Sequence, residues 1–152
     1  RIRRMRATLD SKGMVDPDTG LLTGEAFLRE LDRALRDCGQ RGVGLSIARF
    51  SFPENHDRRT NFDAARLVSR LVRDVDFGSR DDDGSVVLVF TETDLRHAHV
   101  VARRLASILR KTMLHPGERP VAPAITLATM KSSDNIASLL ARVAGPTELA
   151  AE

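Results

Sequence analysis

Two short apolar stretches, "DFGS" and "VVLVF" (residues 86–90), are separated only by "RDDDGS". That spacing admits a tight turn about Gly84 and little else, so the two stretches must pair as an antiparallel hairpin. A purely parallel sheet has no such hairpin, which rules out the commonest α/β layouts. Around this hairpin the chain alternates between helical and extended patterns. "EAFLRELDRALRDC" puts Phe27, Leu28, Leu31, Leu35 and Cys38 at three-to-four spacing, with Thr23 as N-cap and the glycines of "GQRG" as the stop. "VGLSIARF" alternates as a strand does. "NFDAARLVSRLVRD" is helical, with Thr60 as its cap, Asp63 in its first turn, and Phe62, Ala65, Leu67, Val68, Leu71 and Val72 on its apolar face.

Beyond the hairpin, "TETDLRHAHVVARRLASILRKTML" is the longest helix. Asp94 is its N-cap, and Leu95, Ala98, Val101, Ala102, Leu105, Ile108 and Leu109 are its buried face. Pro116 and Pro120 break the chain, "PAITLATM" is a strand, and "SDNIASLLARVAG" is a last helix stopped by Gly145. This order predicts an α/β sandwich: a mixed, mostly antiparallel sheet of four or five strands, flanked by helices, near the ferredoxin-like layout. "DPDTGLLTG" ahead of the first helix is dense in turn formers, with Pro17, Gly20 and Gly24.

The 152 residues, 41% apolar and 30% charged, suit one soluble globular domain. No apolar run approaches the ~20 residues that span a bilayer, and no apolar segment follows the charged N-terminus as in a signal peptide. A single cysteine, Cys38, excludes an internal disulfide and suits a reducing compartment, so a cytoplasmic setting is expected. The chain does not begin with Met, and residues 1–15 are basic and weakly periodic. They read as a helix or linker from an upstream region, followed by a domain over 16–147 and a tail over 148–152. The opening "RIRRMR" and the net charge of +3 raise a nucleic-acid or lipid contact. The absence of Tyr and Trp argues against base stacking, and no nucleic-acid partner is expected.

Three patterns could carry chemistry. Asp81, Asp82 and Asp83 are consecutive, so an extended backbone points them to alternating sides, and "VGLSIARF" offers no partner carboxylate. They read as a solvated turn rather than a metal site. His56, His97, His99 and His115 show no ligand spacing, no Cys–His pairing is apparent, and no glycine loop opens a helix after a strand. Arg73 and Asp76 form an Arg-x-x-Asp. That pair is either a surface ion pair or a planar donor beside an acceptor, suited to a ligand with phosphate and guanine character.

Over residues 16–144 the chain resembles a diguanylate cyclase, or GGDEF, domain. "DPDTGLLTGEAF" is similar to the family's opening motif, and "RDVDFGSRDDDGSVVLVFTETDLRHAHVVARRL" is similar to its central stretch without a gap. The resemblance implies a mostly antiparallel sheet of about five strands with flanking helices. It also implies lost catalysis. The five-residue signature reads Asp82, Asp83, Gly84, Ser85 and Val86, and the metal-binding aspartate of the first strand falls at Ala48. "Phe50-Ser51-Phe52-Pro53" replaces the region after it, and Thr23 and Gly24 replace the opening Asn-Arg. No catalytic residue, metal or cofactor is therefore expected. The inhibitory-site pattern survives: Arg73 and Asp76 precede the signature with a five-residue gap, Phe77 to Asp81, and Arg104 matches the arginine of the following helix. The resemblance thus implies a bacterial signalling module that binds cyclic di-GMP at Arg73, Asp76 and Arg104. Arg73 and Arg104 would hold phosphates or stack on guanine, Asp76 would accept from a guanine edge, and a homodimer or neighbouring domain would be the partner. The alternative is a ligand-free dimerisation or protein-interaction module relaying a signal from an upstream sensor.

Overall fold

The computed structural model describes residues 14–52, 58–112 and 123–151. Residues 1–13 of the expected linker over 1–15, and the breaks at Pro116 and Pro120, lie outside them. In chain order the elements are α1 (Gly24–Arg41), β1 (Leu45–Ser51), α2 (Arg58–Leu71), β2 (Phe77–Arg80), β3 (Val86–Thr91), α3 (Leu95–Thr112), β4 (Ala124–Thr129) and α4 (Ile136–Ala151). The sheet has four strands in the order β2-β3-β1-β4, with every neighbouring pair antiparallel. This is the ferredoxin-like arrangement, with four strands among the described residues rather than about five, and wholly antiparallel rather than mixed.

Strand alternation divides the core in two. On one face Ala48 and Phe50 of β1 and Val86, Leu88 and Phe90 of β3 meet Ala64, Ala65 and Val68 of α2 and Ala98, Ala102, Leu105 and Leu109 of α3. On the other, Leu45, Ile47, Val87 and Val89 meet Phe27, Leu31, Leu35 and Cys38 of α1 and Leu139 and Val143 of α4. The sheet is thus covered by helices on both sides. That explains why β3 is apolar at consecutive positions and buried throughout. Cys38 is fully buried within the α1 layer.

Helix ends follow local chemistry, with three departures. Gly42 takes φ 68° past α1 and caps it with bonds to Cys38 and Gly39, as a left-handed C′ residue does. Asp94 accepts from the backbone N–H of His97 at 2.9 Å and caps α3. Thr23 sits at the N-cap of α1 but makes no side-chain cap bond. Thr60 is not a cap, because α2 begins at Arg58, two residues earlier. Gly145 does not stop α4, which continues to Ala151. Leu28, Leu71 and Leu95, expected inside, are exposed because each lies at the margin of its helix's apolar arc.

The segment Met14–Thr23 closes on itself and covers the β2 edge. Asp16 accepts from the backbone of Gly20 and holds Asp18 and Thr19 through its carboxylate. Leu22 donates to the carbonyl of Gly78 at 3.0 Å, which occupies the otherwise open edge of β2.

Candidate nucleotide site

Arg73 lies in the connection between α2 and β2, and Asp76 immediately precedes β2. Their side chains form a two-bond pair: Nε donates to Oδ2 at 2.8 Å and Nη2 to Oδ1 at 2.9 Å. Nη2 also reaches the carbonyl of Thr91 at 2.9 Å and the hydroxyl of Thr93 at 3.0 Å. Asp76 accepts in addition from the backbone N–H of Thr91 at 3.1 Å. The carboxylate therefore ties the end of β3 to the start of β2, and the arginine bridges both to the β3–α3 turn. Asp76 is 2% exposed and the Arg73 side chain 57% exposed. The hydrogen bonds to Asp76 raise the Arg73 pKa further above its ordinary value.

This differs from an Asp76 presented to a guanine edge. The carboxylate faces inward, and the outward group is the Nη1 end of Arg73, whose two N–H donors have no partner among the described residues. Arg104 is exposed on α3, nine residues past Leu95, or about 13 Å along the axis. Arg73 reaches the strand end just ahead of α3. Arg104 thus starts farther along α3 than the turn that Arg73 reaches.

At the hairpin tip the aspartates form a turn. The backbone N–H of Asp81 bonds the carbonyl of Ser85 at 2.8 Å, and Gly84 takes φ 90°. Asp83 accepts from the backbone and hydroxyl of Ser85 at 2.9 and 2.6 Å through one oxygen, and from Arg49 at 2.6 Å through the other. Burial pushes Asp83 up, but the Ser85 bonds and the Arg49 charge outweigh it and hold the carboxyl below its usual range. Burial, followed by the neighbouring Asp83 charge, pushes Asp81 up. Ala48 is fully buried, while Arg49, its side chain 13% exposed, brings a cation to the tip where a metal would need a carboxylate. These residues do not fit a divalent cation. Among the described residues no three His, Cys, Asp or Glu side chains are gathered as metal ligands.

The Arg49–Asp83 pair is a contact that sequence reasoning missed; its members are 34 residues apart, and only the strand register brings them together. A second is Arg80, whose guanidinium lies 4.2 Å from the centroid of the Phe62 ring beside the same turn.

No protein-family model matches the sequence, and no curated protein is detectably similar to it. Solved structures match its fold. The GGDEF domain of DgcB from Caulobacter crescentus, in complex with cyclic di-GMP, superposes with a TM-score of 0.80 at 15% identity, covering 92% of this chain and 88% of that one. The diguanylate cyclase SiaD from Pseudomonas aeruginosa, in complex with its activator SiaC, gives 0.81 at 18% identity, over 99% of this chain and 62% of that one. The FimX GGDEF domain, also from Pseudomonas aeruginosa, gives 0.73 at 18% identity, over 91% and 93%. The chain has the fold of GGDEF domains.

Proposed function

We propose that this GGDEF-fold chain is a non-catalytic receptor for cyclic di-GMP that engages the nucleotide through the outward end of Arg73. The observation that carries the reading is the fixed Arg73 fork. Asp76, Thr91 and Thr93 hold its Nε and Nη2, and the Nη1 donors remain available to a phosphate oxygen or a base acceptor. Asp76 acts here by aiming Arg73 rather than by touching the ligand. Arg104, exposed farther along α3, is the second cation of this reading. The cyclic di-GMP complex of the DgcB domain, which shares this fold, supports the choice of ligand.

Loss of catalysis is supported by the hairpin tip. Asp83 is spent on Ser85 and Arg49, and Ala48 offers no ligand atom on β1. An alternative function, docking of another protein on this surface, draws on the exposed Leu71 and Val75 flanking Arg73 and on the SiaC complex of SiaD.

The test is calorimetric titration of cyclic di-GMP into the parent and Arg73→Ala proteins, with magnesium-GTP turnover measured on the parent. Binding at micromolar or lower concentration that disappears in Arg73→Ala is the expected result. Unchanged binding in the variant refutes the site, and measurable cyclisation of GTP refutes the non-catalytic assignment.

A further inference from the structure

The two helical layers differ sharply in charge. α2 carries four arginines and one aspartate, and α3 carries five cations with no carboxylate among its 18 residues. On the opposite face α1 balances four arginines with four carboxylates, and α4 has one of each. Three of the four α1 cations are also paired locally: Arg33 with Glu30, Arg36 with Asp32, and Arg41 with Asp37 and Glu92. The cations of α3 are not. Arg96, Arg103, Arg104, Arg110 and Lys111 are all exposed, and none has a carboxylate partner among the described residues. Of the acids bordering this layer, Asp94 is bound to His97, Glu92 to Arg41, and Asp63 lies 3.8 Å from Arg66. Asp74 is exposed near the end of α2.

The α3 cations are ordered. Arg96, Arg103 and Arg110 recur every seven residues, with Val100 and Ser107 between them at helical spacing, so one stripe runs about 21 Å along the helix. Two aliphatic side chains stand on the same helix, Val100 at 51% and Leu95 at 44% exposure. α2 packs beside α3 on the same side of the sheet and adds exposed Arg59 and Arg70. The result is a broad, mostly cationic layer, all-cationic along α3 and with Asp18, Asp63 and Asp74 among the arginines on its α2 side.

From this we infer that the α2/α3 layer docks on an anionic lipid surface, with the arginine stripe of α3 against the headgroup phosphates and Val100, which lies within that stripe, at the interface. Charge complementarity selects an anionic partner. The exposed Val100 within the stripe favours a bilayer over duplex nucleic acid, because a phosphate backbone gains nothing from covering an aliphatic side chain, whereas a lipid interface does. The breadth of a two-helix layer fits an extended surface better than a single peptide. The stripe residues Arg96, Arg103 and Arg110 take no part in the proposed nucleotide site, although Arg104 of that site stands on the same helix. It would orient the module at a membrane without any spanning helix, and none of the described helices is long and apolar enough to cross one.

The experiment is co-sedimentation of the full chain with phosphatidylcholine vesicles, with and without phosphatidylserine. The proteins are the parent, an α3 variant (Arg96→Gln, Arg103→Gln, Arg110→Gln) and an α1 control (Arg33→Gln, Arg36→Gln), each checked for folding by circular dichroism. The parent is expected to bind only the anionic vesicles. At roughly fivefold per cation near the surface, the α3 variant should bind about a hundredfold more weakly, and the α1 control should bind as the parent does. Should the triple variant fail to fold, Val100→Gln alone should still weaken vesicle binding. No parental binding to phosphatidylserine vesicles, an equal loss in the α1 control, or tighter binding to duplex DNA than to the vesicles would each overturn the inference.

Discussion

Replacing Asp76 by alanine tests whether its carboxylate is a structural fastening. In the parent it accepts from Arg73 twice and from the buried backbone N–H of Thr91. Alanine strands the Thr91 N–H away from water, which costs about 1–3 kcal/mol. The Arg73 side chain is 57% exposed, so water recovers most of what its guanidinium loses, and that part is worth about 1 kcal/mol or less. The expected loss is therefore about 1–4 kcal/mol, dominated by the backbone group rather than by the ion pair. Urea unfolding followed by far-ultraviolet circular dichroism reads it as a lower midpoint at unchanged slope. Asp76→Asn keeps an oxygen for Thr91 and should lose only about half as much. An Asp76→Ala protein within about 0.5 kcal/mol of the parent would refute the reasoning. An Asn variant as damaged as the Ala variant would refute the share assigned to Thr91.

Three further outcomes follow from the geometry. A Cβ at Gly78 would lie 2.6 Å from the carbonyl oxygen of Val87 and 2.6 Å from Leu88 Cδ2, so Gly78→Ala should destabilise by about 1–3 kcal/mol in the same unfolding assay. Asp81 has a raised pKa in the folded state, so its ionised form disfavours folding above that pKa, and the penalty fades as pH falls toward the unfolded value. Asp81→Asn should raise the melting temperature slightly at pH 7, with the gain vanishing in acid. Asp94 has the opposite sign: the backbone N–H of His97, first among its causes, lowers its pKa. Its contribution is present above the unfolded value and lost as pH falls through the folded one. Asp94→Ala should therefore lower the melting temperature at pH 7, with the difference from the parent closing in acid.

Much of the fold was legible because its signals are local. The "DDDG" turn required a hairpin, and the three-to-four spacing around Leu31 and Leu105 gave helices whose faces meet the sheet as expected. Asp94 was readable as a cap because the residue that caps and the N–H it serves are three positions apart. The errors fell where a local rule depends on a conformation the sequence does not fix. Gly145 could end α4 only by turning left-handed, as Gly42 does after α1, and residue type alone does not decide between them. Leu28, Leu71 and Leu95 belong to an apolar period, but its width at the core depends on how the neighbouring helices sit.

The candidate site divides in the same way. Arg73 and Asp76 were recognisable as partners because they are three residues apart, a separation that backbone geometry converts into contact. Which of the two faces outward was not, because that is decided by Thr91, 15 residues on, whose N–H and carbonyl terminate β3 between them. An acceptor is needed inside, where a strand end leaves a donor, and only the carboxylate can supply it. The guanidinium, a donor alone, is left to span the carboxylate and the Thr91 carbonyl with one edge and to project the other. The polarity of the pair is thus set by the backbone groups beneath it. A ligand read by this surface meets donors first, which favours phosphate and carbonyl oxygens over the donor edge of a base.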